Sequence, residues 1–237
     1  MLTKKQIQRF QKLQQKKYRL LDQSFVVEGE KNIEALLSTD YPLVALYSTA
    51  TTPKWGAEFI TQAQMEQLTF LKSPSPYFAV FQMPEVKNLP TEGLVVALDS
   101  ISDPGNLGTI IRLCDWFGVS QLVCSVDTVD CYNPKVVQAS MGSIARVSCI
   151  YTSLDDYLAS AQLPIFGALL EGTSLSDVPL QQNAILLMGS ESHGISANLL
   201  DCLDHQITIP KYDASSAIDS LNVASATAII LAHFRAL

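Results

Sequence analysis

Apolar residues in this chain come in short runs of five or six, separated by stretches whose apolar positions recur at helical spacing, and this alternation begins at the first turns and continues to the end. Near the N-terminus, KKQIQRFQKLQQKKYR has the composition of a basic helix. It leads to FVVEGEKNIEALL, a short strand feeding a second helix, then to VALYST as a strand, a helix near Thr61 to Leu71, and YFAVFQM as another strand. The segment MPEVKNLPTEG, residues 83–93, carries Pro, Gly and charge without any periodicity and reads as a linker. The expected organisation is therefore a small α/β domain over residues 1–88 and a larger domain over residues 93–237.

Beyond the linker the pattern becomes a regular strand–helix alternation. LVVALDS, SQLVCSV, RVSCIY, PIFGALL, AILLMGS and HQITIP read as strands, and helical stretches lie between them, ending in LNVASATAIILAHFRAL. Six apolar strands alternating with helices predict a mostly parallel sheet covered on both faces. In such sheets ligands bind at the carboxyl ends of the strands, so the residues that immediately follow each apolar run carry the functional information.

Three of those junctions stand out. In LDSISDPGNLGTIIRLCDWFG, Asp103-Pro104-Gly105 makes a tight turn and a helix begins near Asn106, with Arg112 six residues on, about 9 Å along the axis. A purely structural reading has Asn106 capping the helix and Arg112 paired with a surface carboxylate. In AILLMGSESHGIS, the strand runs into Gly189 and a polar loop where Glu191 can orient Arg112 or a ligand hydroxyl; the structural alternative is a plain turn with a solvated glutamate. His193, alone in that loop, reads as a bystander rather than a base. In the third junction Pro210 ends a strand, and Ser220-Leu221-Asn222 opens a long apolar helix with Ser220 as its cap. Ala224, Ala228 and Ala232 then recur every four residues, a stripe that permits close packing within one subunit or across a dimer.

Composition narrows the classes. With 237 residues, 48% of them hydrophobic and 16% charged, the chain can bury a sizeable core. It lacks both an uninterrupted apolar run long enough for a membrane span and a secretory signal, so a cytoplasmic location is expected. The net charge of −7 excludes indiscriminate coating of nucleic acid, yet Lys4, Lys5, Arg9, Lys12, Lys16, Lys17 and Arg19 all precede the first acid, Asp22. That segment is either a phosphate-facing arm or a solvated helix face. The five scattered cysteines read as reduced thiols, and neither they nor the three histidines have metal-ligand spacing, so no metal is expected. Glycine-rich nucleotide fingerprints are missing, which sets a nicotinamide- or ATP-dependent enzyme aside.

The three junctions together resemble an ordered set of family motifs. DPGNLGTIIRLCDWFGV, LLMGSESHGIS, and IP followed by SLNVASATAIIL are similar, in order and spacing, to the three motifs of the SpoU/TrmH family of RNA methyltransferases. More loosely, KKYRLLDQSFVVEGEKNIEALL resembles the family's L30e-like substrate-binding domain. The resemblance implies a SPOUT fold with a deep trefoil knot, S-adenosylmethionine (SAM) bent within the knot, a homodimer with sites across the interface, and methylation of a ribose 2′-hydroxyl of ribosomal or transfer RNA. It also implies cofactor contacts at Gly189, Ile209 and Leu221, with backbone near Leu170, Glu171 and Gly172, and an active site of Asn106, Arg112, Glu191, Ser220 and Asn222. The family's arginine has been assigned the proton-accepting role. Because an arginine pKa normally lies above about 12, Arg112 is read here as orienting a phosphate. A relative that keeps the fold but binds RNA only as an assembly factor is the alternative function. The sequence departs from the family pattern at Ser190, where many relatives carry asparagine, at Gln138, where an arginine is common, and in the longer KYDASSAID loop, which lacks an early glycine.

Overall fold

The computed structural model describes residues 2–85, 88–179, 181–213 and 218–235. The chain forms two compact units: residues up to 85 together with Asp130–Ala145, and the remainder. No helix among the described residues is long and apolar enough to cross a membrane.

The N-terminal unit runs α1 (Lys4–Lys12), α2 (Lys16–Asp22), β1 (Ser24–Glu28), α3 (Glu30–Leu37), β2 (Leu43–Ser48), β3 (Glu58–Phe59), α4 (Gln62–Leu68) and β4 (Tyr77–Gln82). Among the described residues these strands form a four-stranded sheet in the order β1-β4-β2-β3. β1 and β4 pair antiparallel and are buried over almost their whole length, which is why FVV and YFAVF are apolar without alternation. Phe10, Leu13, Met65, Leu68 and Phe78 close the core from the helices and the sheet. Thr3 and Thr61 each start a helix through a reciprocal capping box with the glutamine three residues on.

The basic segment differs from the single helix expected. It breaks at Leu13–Gln15, because Arg19 is fully buried and its guanidinium turns back to donate to the carbonyl oxygens of Leu13 and Gln14, at 2.8 and 2.9 Å. The same guanidinium pairs with Asp130 at 2.5 Å, and Arg9 is held bidentately by Asp22. Two of the seven basic side chains are thus structural, whereas Lys4, Lys5, Lys12, Lys16 and Lys17 are exposed. The later segment α6 (Pro134–Ala139) also belongs to this unit: Asn32 donates to Gln138, and the Tyr132 ring lies tilted against Phe25 with centroids 4.5 Å apart.

In the larger unit β5 (Leu94–Leu98), α5 (Pro104–Trp116), β6 (Gln121–Ser125), β7 (Ser148–Thr152), α7 (Leu154–Ser160), β8 (Ile165–Ser174), β9 (Ala184–Met188), α8 (Ala197–Leu200), β10 (His205–Thr208) and α9 (Val223–Arg235) follow in order. The described residues form a six-stranded sheet, β10-β8-β9-β5-β6-β7, in which every pairing is parallel, as the alternation predicted. β5 and β9 lie at its centre and are buried at every position. α5 packs against α9. The alanine stripe on α9 leaves the core as it proceeds: Ala224 is buried, Ala228 half-buried and Ala232 exposed. A spacing of four residues advances by about 400° per step, so the stripe drifts roughly 40° around the helix each time. The last two residues of the predicted helix, 236 and 237, lie outside the described residues.

Candidate active site

Each strand in the centre of the parallel sheet ends in a polar loop, and adjacent strands therefore deliver adjacent loops. α5 begins at Pro104, two residues earlier than expected, with Asp103 as its cap: the Asp103 carboxylate accepts the Asn106 amide at 2.8 Å. Asn106 does not cap the helix. Its side chain instead donates through Nδ2 to Glu191 Oε1, while its Oδ1 accepts from Asn222 Nδ2 at 2.9 Å.

Asn222, not Ser220, caps α9, because its Oδ1 accepts the Ala224 and Ser225 amides at 3.0 and 3.2 Å. The cap falls there because the helix starts at Val223, so the position just before it is the one whose side chain can reach the second and third amides. Ser220 and Leu221 lead into this cap and are exposed. The chain Asn222–Asn106–Glu191 joins the start of α5, the loop after β9 and the start of α9. The oxygen and the nitrogen of each amide have a partner, which fixes both amide orientations. Glu191 Oε2 has no partner among the described residues and can accept from a ligand hydroxyl. Arg112, exposed on α5, likewise has no ion pair or hydrogen bond among the described residues, so its five donors are available to an anion.

The loop carrying Glu191 is narrow. Ser190 and Gly194 exchange both backbone hydrogen bonds, at 3.0 and 2.9 Å, and a Cβ on Gly189 would lie 2.1 Å from the Gly194 carbonyl carbon. Only glycine fits there. His193 turns its ring to Ser192, whose hydroxyl lies 2.7 Å from Nδ1.

Of the residues expected to hold the cofactor, Ile209, Leu170, Glu171, Gly172 and Gly189 lie on or just after three neighbouring strands, β10, β8 and β9, and Leu221 lies just ahead of the α9 cap. Ile209 follows β10 and Gly189 follows β9. Between them β8 pairs with β10 at Gly167–Gln206 and again at Thr173–Ile207, so residues 168–172 loop out opposite a single peptide step. Thr208 Oγ1 pins this excursion by donating to the Leu170 carbonyl at 2.9 Å, and Gly172 approaches Gln206 so closely that a Cβ would stand 2.7 Å from its carbonyl oxygen. Leu170 and Leu221 are 73% and 51% exposed. Exposed aliphatic side chains beside looped backbone suit an adenosine, which takes apolar faces and backbone partners rather than a phosphate cradle. The donor set therefore fits SAM. No group of His, Cys, Asp and Glu among the described residues could hold a metal ion.

Sequence reasoning missed a buried polar cluster beneath these loops. Ser125 Oγ accepts the Ser100 amide at 2.9 Å and lies 3.0 Å from Thr128 Oγ1, which accepts from the Ile101 amide and donates to the Leu98 carbonyl. Asp99, buried, joins it through Ser100 Oγ. An acid placed directly after an unbroken apolar strand is the signal that could have revealed it.

A parallel α/β domain with a glycine-tight loop and an Asn–Asn–Glu chain beside the strand ends defines a cofactor-binding class rather than a phosphate-cradling one. The comparisons agree: residues 93–232 match the SpoU rRNA Methylase family, and residues 4–79 match the MRM3-like substrate binding domain. The chain belongs to the SpoU rRNA methylase family. It is 32% identical to the 23S rRNA (guanosine(2553)-2′-O)-methyltransferase RlmP of Bacillus subtilis, over 95% of this chain and 94% of that protein. Among solved structures, an RNA methyltransferase assigned to the TrmH family from Porphyromonas gingivalis superposes with a TM-score of 0.90 at 38% identity, covering 100% and 99% of the two chains. An AdoMet-bound rRNA methyltransferase from Sinorhizobium meliloti superposes at 0.86 with 27% identity, covering 100% and 96%.

Proposed function

We propose that this protein is a SAM-dependent methyltransferase acting on a ribose 2′-hydroxyl of ribosomal RNA. The observation that carries the reading is the Asn222–Asn106–Glu191 chain, which leaves one Glu191 oxygen open to a ligand hydroxyl at a strand end, while Arg112 stands exposed on the same helix as Asn106. When bound, SAM supplies a methyl group on a sulfonium; the S–CH3 bond breaks as the O–CH3 bond forms, the sulfur leaves as a neutral thioether, and the hydroxyl proton is lost to solvent or to a base.

The chain's own residues supply placement. Gly189, Ile209, Leu221 and the backbone at Leu170, Glu171 and Gly172 hold the cofactor. Arg112 grips a phosphate next to the target nucleotide, bidentately, which a guanidinium does better than an ammonium. Glu191 accepts from the ribose, and Asn106 and Asn222 fix the angle of that carboxylate. Ser220 borders the site ahead of the α9 cap.

The N-terminal domain, residues 1–88, contacts the RNA, with the exposed lysines of α1 and α2 neutralising phosphates. The larger domain, residues 93–237, carries the knot. The protein works as a homodimer in the cytoplasm, with Trp116 on α5 and Ile229 on α9, both exposed here, available to the interface.

The test is titration of the purified protein with SAM, followed by transfer of labelled methyl into total ribosomal and transfer RNA, with nuclease mapping of the product. Binding and 2′-O-labelling of ribosomal RNA support the reading. Cofactor binding without transfer to any RNA would move it to an RNA-binding assembly factor. Arg112→Ala is expected to lower transfer by at least 100-fold, on the order of 3 kcal/mol, while leaving cofactor affinity within twofold. Full activity in that variant would sink the assigned site.

A further inference from the structure

Asp99 is a buried carboxylate, 4% exposed, with no arginine or lysine partner among the described residues. Burying an unpaired charge is costly unless hydrogen bonds compensate, so its surroundings should show what holds it. They are two donors from two different loops. Oδ1 accepts the Ser100 hydroxyl at 2.9 Å, at the start of the β5–α5 connection, and Oδ2 accepts the Ser196 amide at 2.7 Å, at the far end of the loop that follows β9.

The first connection leads into α5, whose first turn carries Asn106, and the second carries Glu191. The first is fixed at its root: Ser100 sits at φ +58, a conformation uncommon for a non-glycine residue, and is held there by the hydrogen bond its backbone N–H donates to Ser125 Oγ. The second is anchored at Gly189 by β9 and narrowed by the Ser190–Gly194 bridge, and its exit, Ser196, is bound to Asp99. With both connections tied to one carboxylate, the Glu191 loop is set against the first turn of α5, and Asn106 reaches Glu191.

We propose that Asp99 is a positioning residue for methyl transfer, holding the Glu191 loop in register with α5 so that the Glu191 carboxylate meets Asn106 and the ribose. This rests on the functional reading above. The Ser196 amide can only donate, and the Ser100 hydroxyl donates to the carboxylate. An asparagine can keep its oxygen on Ser196 only by turning its NH2 to Ser100, whose hydroxyl must then accept, and the charge assistance to both bonds is lost.

The experiment compares Asp99→Asn, Glu191→Gln and the double variant in the full-length protein, measuring kcat, KM for RNA, SAM affinity and thermal melting, together with hydrogen exchange of the 190–196 amides. In Asp99→Asn, kcat should fall on the order of tenfold, with KM and cofactor affinity within twofold and the melting transition still cooperative. Added to Glu191→Gln, the same change should cost little more, because both act through one carboxylate. The Ser196 amide should exchange faster in Asp99→Asn. Multiplicative losses in the double variant, or an unchanged kcat, would overturn the assignment and leave Asp99 a purely structural group. If the wild-type protein transfers no methyl to RNA, the functional reading fails by itself, and the exchange measurement decides the loop-bracing alone: unchanged protection at Ser196 refutes it.

Discussion

Two glycines in the same loop make opposite demands on the backbone, and replacing each by alanine separates close approach from conformational freedom. A Cβ on Gly189 would lie 2.1 Å from the Gly194 carbonyl carbon, 2.2 Å from the Ile195 nitrogen and 2.3 Å from the Gly194 oxygen. Carbon atoms in contact sit at about 3.5–4.0 Å, so the opposing strand of the loop must retreat by more than an ångström. It cannot do so freely, because Ile195 is buried and Ser196 is bonded to Asp99. The retreat breaks the two Ser190–Gly194 hydrogen bonds, each worth about 1 kcal/mol, and adds overpacking of about 1–3 kcal/mol. Gly189→Ala should thus destabilise the protein by on the order of 3–5 kcal/mol. At Gly194 a Cβ meets nothing within 4 Å, and the strain is only that of φ +68, about 1 kcal/mol for an alanine. Urea denaturation followed by far-ultraviolet circular dichroism measures both, and methyl transfer well below the transition midpoint reports whether Glu191 still reaches Asn106. Gly194→Ala should retain most of its activity and Gly189→Ala should lose it. Equal destabilisation, or a larger effect at Gly194, would refute the geometric account of this loop.

Other perturbations address the N-terminal unit. Replacing Lys12, Lys16 and Lys17 by glutamate should weaken RNA binding and flatten its salt dependence without altering cofactor affinity; filter binding at several salt concentrations checks this, and unchanged affinity would discard the arm. Asp130→Ala leaves the Arg19 guanidinium buried with only the Leu13 and Gln14 carbonyls, and should cost about 3 kcal/mol in denaturant, the low end for a broken buried pair. Burial pushes the Glu28 carboxyl up from its ordinary value, against the lowering effect of its bonds from Thr69 and the Phe70 amide. The folded state therefore binds the proton more tightly than the unfolded one, and stability should fall as pH rises from the ordinary carboxylate range through the raised folded value. Glu28→Gln should flatten that part of the stability profile, and an unchanged slope would show that another group carries it.

The parallel sheet was legible because its central strands are buried on both faces: LVVAL and AILLM are continuous apolar runs, and stretches at helical spacing separate the strands. What escaped was set by tertiary partners that periodicity does not encode. Arg19 looks like one more cation of a basic helix, and only the partner at Asp130, over a hundred residues away, turns it into the buried brace that splits that helix in two. The apolar run PIFGALL ends at Leu170, whereas β8 resumes pairing with β10 at Thr173 after the loop at 168–172. No local pattern announces a strand that leaves its neighbour and returns.

The candidate site shows the same division between chemistry and placement. Asn106, Glu191 and Asn222 were recognisable as residue types in the polar segments that follow apolar strands, where ligands of a parallel sheet bind. Their mutual arrangement was not, because it depends on which strands are neighbours: β9 and β5 are adjacent in the sheet but lie about 90 residues apart in the chain, and that adjacency alone lets the loop after β9 face the helix after β5. The cap of α9 follows from the same contact. Asn222 must offer its oxygen to the helix amides so that its NH2 can reach Asn106, and a serine in that position, having one hydroxyl, could cap the helix but could not also hold Asn106 at the same reach. The asparagine thus serves fold and site with the two ends of one amide.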